Sequence, residues 1–216
     1  MKLNAVILGI IYFAVTPNTY AGNVISEVPD APDASDKYIF YLHGSIEESE
    51  GETEKYEMAV NAIAESSATV IAEVRGNTDP NTYAEKVKTQ VNQLISKGVS
   101  ASNITISGFS KGSIIALASS GVINNPEINY VLLAGCSIQL NEKYSIDPTK
   151  AAGRILSIYD SSDKKFGSCD GIVSSSDKVK YEEIELDSGK GHKVFRIPKD
   201  KFIEQWRDPL VDWADA

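Results

Sequence analysis

Ser110 stands between two glycines in "NITISGFSKGSIIALASS", where a β-branched apolar run gives way to a helical pattern. A serine hydroxyl is a weak nucleophile at neutral pH unless an imidazole takes its proton, and that imidazole needs a carboxylate to fix its tautomer. The chain holds two histidines, His43 before the serine and His192 well after it. His192 lies in the glycine-flanked "DSGKGHK", and "YDSSD" places Asp160 and Asp163 between the serine and that histidine. Either aspartate can supply the carboxylate. Nucleophilic acyl transfer is the chemistry that these residue types permit.

The elements that must position these groups alternate in texture. "KYIFYLHG", "ATVIAEVR", "NITISGF", "INYVLLAG", "RILSIYD" and "YEEIELD" read as strands. Between them "KYEMAVNAIAES", "NTYAEKVKTQVNQLISKG" and "KGSIIALASSGV" read as helices. The second of these carries Ala84, Val87, Val91, Leu94 and Ile95 on one face, with Gly98 as its stop. The tail "KDKFIEQWRDPLVDWADA" is helical, with Pro209 expected to kink or restart it. Alternating strands and helices predict a three-layer α/β/α sandwich around a mostly parallel, doubly wound sheet. Such sheets gather functional groups at the carboxyl ends of their strands, where His43-Gly44-Ser45, Ser110, Cys136, Asp160 and Asp163 all fall.

A serine in G-x-S-x-G between strand and helix, followed in order by aspartate and histidine, resembles the α/β-hydrolase superfamily. Within it the chain is similar to small, cap-poor exported hydrolases of the dienelactone-hydrolase kind, and the resemblance runs from Lys37 to about Trp213. It implies Ser110 as nucleophile and His192 as general base. The acid of this superfamily commonly ends a G-x-x-D turn; in "YDSSD" that position is Asp163, while Asp160 replaces the glycine and stays the alternative acid. The oxyanion hole would be the backbone amides of Ser45 and Lys111, with His43 a structural member of its turn. The resemblance implies a serine hydrolase cleaving a small ester or related acyl substrate, a peptide less so. The competing reading is a catalytically silent binding protein that keeps the fold. No metal or cofactor is implied.

The remaining composition bounds the setting. Residues 1–21 hold a lone Lys2, an apolar run of 11 residues and small residues at Thr19 and Ala21, the pattern of a signal peptide cut after Ala21. That run is too short to span a bilayer core of about 30 Å, so no stable membrane anchor is expected. Residues 22–36 read as a linker and 37–216 as one hydrolase domain. The formal charge of −9, without a basic cluster, argues against nucleic acid as a partner. An exported chain with two cysteines favours pairing, and Cys136 and Cys169 follow strands that would be neighbours, so a disulfide between them is expected. The acidic stretch Glu47 to Glu57 reads as a solvated loop, or as a rim disfavouring anionic substrates. Arg75 is expected to pair with Asp79, the alternative being contact with an acidic substrate. The loops after Ser45, Arg75 and Cys136 are expected to shape the pocket.

Overall fold

The computed structural model describes residues 23–51 and 53–216; the segment read as a signal peptide lies outside them. Among the described residues the strands are β1 (Asn23–Ile25), β2 (Tyr38–Leu42), β3 (Thr69–Ile71), β4 (Ile104–Phe109), β5 (Asn129–Leu133), β6 (Gly153–Asp160) and β7 (Val179–Leu186). They form one sheet in the order β1-β3-β2-β4-β5-β6-β7, and every pairing is parallel. The helices are α1 (Ser45–Glu50), α2 (Glu54–Ala64), α3 (Pro80–Ser96), α4 (Lys111–Ile123), α5 (Ile138–Tyr144) and α6 (Asp200–Asp215).

Burial on both faces explains why the central strands are almost continuously apolar. Along β2, Tyr38, Phe40 and Leu42 join the core under α3 and α4, whereas Ile39 and Tyr41 join the core under α2 and α6. β5 divides likewise, Tyr130 and Leu132 to one side and Val131 and Leu133 to the other. Helix α4 is buried from Lys111 to Ser120. Its run of small and aliphatic residues has no polar face because it has no solvent to meet. Helix α3 is amphipathic, capped by Asp79, whose side chain accepts from the amides of Asn81 and Thr82, and started by Pro80. Gly98, at φ +99°, follows its last turn as expected.

Four local expectations are corrected. The segment 22–36 is not wholly a linker, because Asn23–Ile25 pairs with Thr69–Ile71 as an edge strand. Ile95 is 36% exposed, and Tyr83 takes the place on the buried face of α3. Helix α6 runs through Pro209 without a restart. The acidic stretch opens as helix α1, and its Glu47 is buried.

The chain leaves β2 for β3 on one side and returns to β4 on the other. Strand order therefore reverses between β2 and β4, the crevice where open parallel sheets hold ligands. Ser45 follows one of these strands and Ser110 the other.

Candidate active site

Ser110 occupies the turn between β4 and α4 with φ 56° and ψ −117°, a backbone conformation that a residue with a side chain adopts only under strain. The surrounding structure holds it there. Its amide donates to the Leu133 carbonyl at 3.0 Å, its carbonyl accepts from the Ser113 amide at 3.0 Å, and Ser113 Oγ donates to Leu133 O at 2.9 Å. The flanking glycines answer to space: a Cβ on Gly112 would lie 1.9 Å from the Leu42 carbonyl oxygen, and one on Gly108 would lie 2.3 Å from the Gly112 backbone. The motif is thus a close crossing of β2, β4 and α4.

His192 belongs to a 3₁₀ turn, Gly191–Arg196, beyond β7. Its Nδ1 is 2.8 Å from Asp163 Oδ2. Its ring lies between Phe109, centroids 4.7 Å apart, and Phe166, stacked at 4.4 Å. Desolvation pushes its pKa below the ordinary histidine value, against the opposing pull of the Asp163 carboxylate. Asp163 is itself fixed, because Oδ1 accepts from the amides of Lys165 and Phe166, both at 3.0 Å, leaving Oδ2 for the imidazole.

The two aspartates of "YDSSD" differ in what they touch. Asp160 is fully buried at the end of β6, and its hydrogen bonds do not go to His192. It accepts from the amides of Ser162, Ser188 and Gly191, each at 3.0 Å, and from the hydroxyls of Ser162 and Ser188. Burial alone would raise its pKa, but these donors hold it down to about 2. It ties the turn carrying Asp163 to the loop carrying His192.

Ser110 and His192 line one cavity of about 480 Å³, together with Ser45 and Lys111. The segment after Ser45 shapes it, as expected, though as helix α1 through Ile46 and Glu47, and so does the segment after Cys136, through Leu140 and Tyr144 of α5. Neither Arg75 nor the loop after it lines the cavity, contrary to expectation, and Phe166 does. Cys136 and Cys169 are joined by a disulfide, their Cα atoms 5.1 Å apart, linking the segments after β5 and β6.

Beneath the cavity lies a group of buried charges that the sequence reading did not resolve. Glu48 Oε2 is 2.6 Å from Lys111 Nζ, and its Oε1 is 2.8 Å from Arg75 Nε. Arg75 therefore pairs with Glu48, not Asp79, which is occupied in capping α3. Glu47 pairs with Arg196 at 3.2 Å. His43 is structural: its Nε2 accepts from the Arg75 amide at 2.8 Å, so Nδ1 carries the proton and donates to the Gly44 carbonyl at 2.8 Å. Burial and the Arg75 charge depress its pKa to about 4, which keeps it neutral. The only sequence signal for this group was the density of acids after Ser45. Their partners lie roughly 25 to 150 residues further along the chain. Among the described residues no cluster of His, Cys, Asp or Glu could hold a metal ion.

Comparison with known proteins agrees with this architecture. Solved structures with similar folds include an assigned dienelactone hydrolase from Klebsiella pneumoniae, with TM-score 0.64, 12% identity, and coverage of 87% of this chain and 90% of that one. A lipase-esterase related protein from Clostridium acetobutylicum superposes with TM-score 0.56 at 10% identity, over 85% of this chain and 97% of the other. SOBER1 of Arabidopsis thaliana does so with TM-score 0.50 at 15% identity, over 82% of this chain and all of the other. At these identities the likeness is one of fold. No curated protein matches the chain in sequence. The sequence profile of phospholipases and carboxylesterases matches residues 72–201, more than half of the chain, from the end of β3 to the start of α6. The chain belongs to the phospholipase/carboxylesterase family of α/β hydrolases.

Proposed function

We propose that the chain is an exported serine hydrolase that cleaves an ester or related acyl bond through an acyl-enzyme on Ser110. The observation that carries this reading is the 2.8 Å contact of His192 Nδ1 with Asp163, on a cavity that Ser110 also lines from a strained turn. Asp163 keeps the proton on Nδ1, so Nε2 is the basic nitrogen. His192 takes the hydroxyl proton as Ser110 Oγ attacks the carbonyl carbon. The amides of Lys111 and Ser45 stabilise the oxyanion, where losing one donor commonly costs on the order of 10²–10³ in rate. His192 then protonates the departing oxygen, the acyl group stays on Ser110, and a water deprotonated by the same imidazole releases it. The disulfide between Cys136 and Cys169 supports an oxidising compartment, in keeping with a cleaved leader.

A fluorophosphonate probe tests the reading on the purified chain. Stoichiometric labelling of Ser110, abolished in Ser110→Ala and His192→Ala, is expected. A folded wild-type chain that takes no label would point instead to a silent binding protein.

A further inference from the structure

The cavity carries a charge opposite to that of the molecule around it. The chain has a formal charge of −9, yet five cationic side chains line the cavity, Lys111, Lys143, Lys165, Lys193 and Arg196, against one carboxylate, Glu47. Two of the five are balanced within the protein: Lys111 by Glu48 at 2.6 Å and Arg196 by Glu47 at 3.2 Å. The other three are exposed, and none lies within ion-pair distance of a described carboxylate. Lys143 rests over the Tyr144 ring at 4.9 Å and Lys165 over the Phe166 ring at 5.4 Å.

These three lysines come from separate elements. Lys143 is on α5, Lys165 lies in the turn after β6 next to Asp163, and Lys193 follows His192. Gathering like charges around one opening is unfavourable by itself, and a chain with 30 acidic residues has ample carboxylates with which to disperse them. Glu47 and Glu48, the acids that follow Ser45, are instead turned inward, Glu47 paired with Arg196 and Glu48 with Arg75 and Lys111. A concave, low-dielectric wall bearing one sign of charge focuses its field and concentrates ligands of the other sign. Between the lysines the wall is apolar, formed by Ile46, Ile114, Leu140, Phe109 and Phe166. Among the described residues of the acidic stretch Glu47 to Glu57 only Glu47 lines the cavity, and Arg196 balances it.

We propose that this cavity selects esters carrying an anionic group, a carboxylate or a phosphate, held by Lys143, Lys165 and Lys193, which line the same cavity as Ser110. The proposal rests on the hydrolase reading above.

Matched nitrophenyl esters on the full chain test it. The adipate half-ester presents a free carboxylate, a phosphate-ended acyl chain of similar length presents a phosphate, and the methyl-capped adipate is neutral. At about 0.01 M ionic strength kcat/KM for at least one anionic ester is expected to exceed that for the capped ester by about tenfold, converging at about 1 M. The larger of the two anionic values identifies the group. In a Lys143→Glu, Lys193→Glu double variant the anionic-to-neutral ratio is expected to fall below one; being a ratio within one preparation, it does not depend on the folded fraction. Turnover of the capped ester with no anionic preference, or a ratio that the double variant leaves unchanged, would overturn the proposal and leave the hydrolase reading standing. Absence of turnover for all three esters, with no fluorophosphonate labelling, would overturn both.

Discussion

The Gly191 amide donates to Asp160 Oδ1 at 3.0 Å, and through this bond a buried carboxylate whose hydrogen bonds do not go to His192 decides where His192 stands. Ser188 and Ser162 complete the arrangement from either side. The aspartate three residues on, Asp163, makes the contact with the imidazole.

The two positions should therefore fail differently. Asp163→Asn keeps an oxygen for the amides of Lys165 and Phe166 but turns an NH₂ towards Nδ1. That favours the wrong tautomer, and a loss of about 10³–10⁴ in kcat with a near-native melting temperature is expected. Asp160→Ala removes the acceptor for three amides, of which that of Gly191 is buried, and for two hydroxyls. A loss of about 3 kcal/mol or more in urea unfolding, with proportionately wider effects on activity, is expected. Equal melting temperatures for the two variants would show that Asp160 does not anchor the loop.

The titration of His192 makes a signed prediction for the pH profile. The hydrolase reading requires neutral His192, and the neutral fraction grows as pH rises through its pKa. Since desolvation between Phe109 and Phe166 depresses that pKa, the acid limb of kcat/KM should lie below the ordinary value of about 6.5. Replacing Phe166 with Ser admits water to the ring and should move the limb upward. A limb already above the ordinary value in the wild type would contradict the stacked arrangement.

Glu48 holds two cations at once, Lys111 and Arg75, and its side chain is 3% exposed. Glu48→Gln leaves both under-neutralised inside the protein, a change that typically costs about 3–5 kcal/mol. Because Glu48 sits on the helix that begins at Ser45, and Lys111 begins the helix after Ser110, the variant should also lose activity through displaced amides. Denaturant midpoints and kcat measured on the folded fraction separate the two effects. An unchanged midpoint would show that the buried group is not structurally coupled.

Much of the architecture was legible because it is written in local pattern. The turn from "NITISGF" into "KGSIIALASS" and the stop at Gly98 each depend on neighbours in sequence. Strand β1 was not legible: Asn23–Ile25 has only three residues, and its strand character comes from Thr69–Ile71 across the sheet edge. Helix α1 was hidden for a related reason. "SIEESE" looks solvated, and the cations that bury Glu47 and Glu48 arrive from Arg75, Lys111 and Arg196. The order of serine, aspartate and histidine could be read, with Asp163 preferred to Asp160, whereas the anchoring role of Asp160 could not, since it depends on the Gly191 amide reaching that carboxylate. The same limit hid Phe109 and Phe166. Both are ordinary core aromatics by type, and only the folded chain brings them to the imidazole.

Ser110 also has a consequence for stability. At φ 56° and ψ −117° its backbone sits where glycine would rest freely, and holding a side chain there costs on the order of 1–3 kcal/mol. Ser110→Gly is expected to relax the turn and raise the unfolding midpoint while removing the hydroxyl. Stability and the hydroxyl are therefore set against each other at this one position, and the turn is held by the bonds to Leu133 and Ser113 at the expense of its own relaxed geometry.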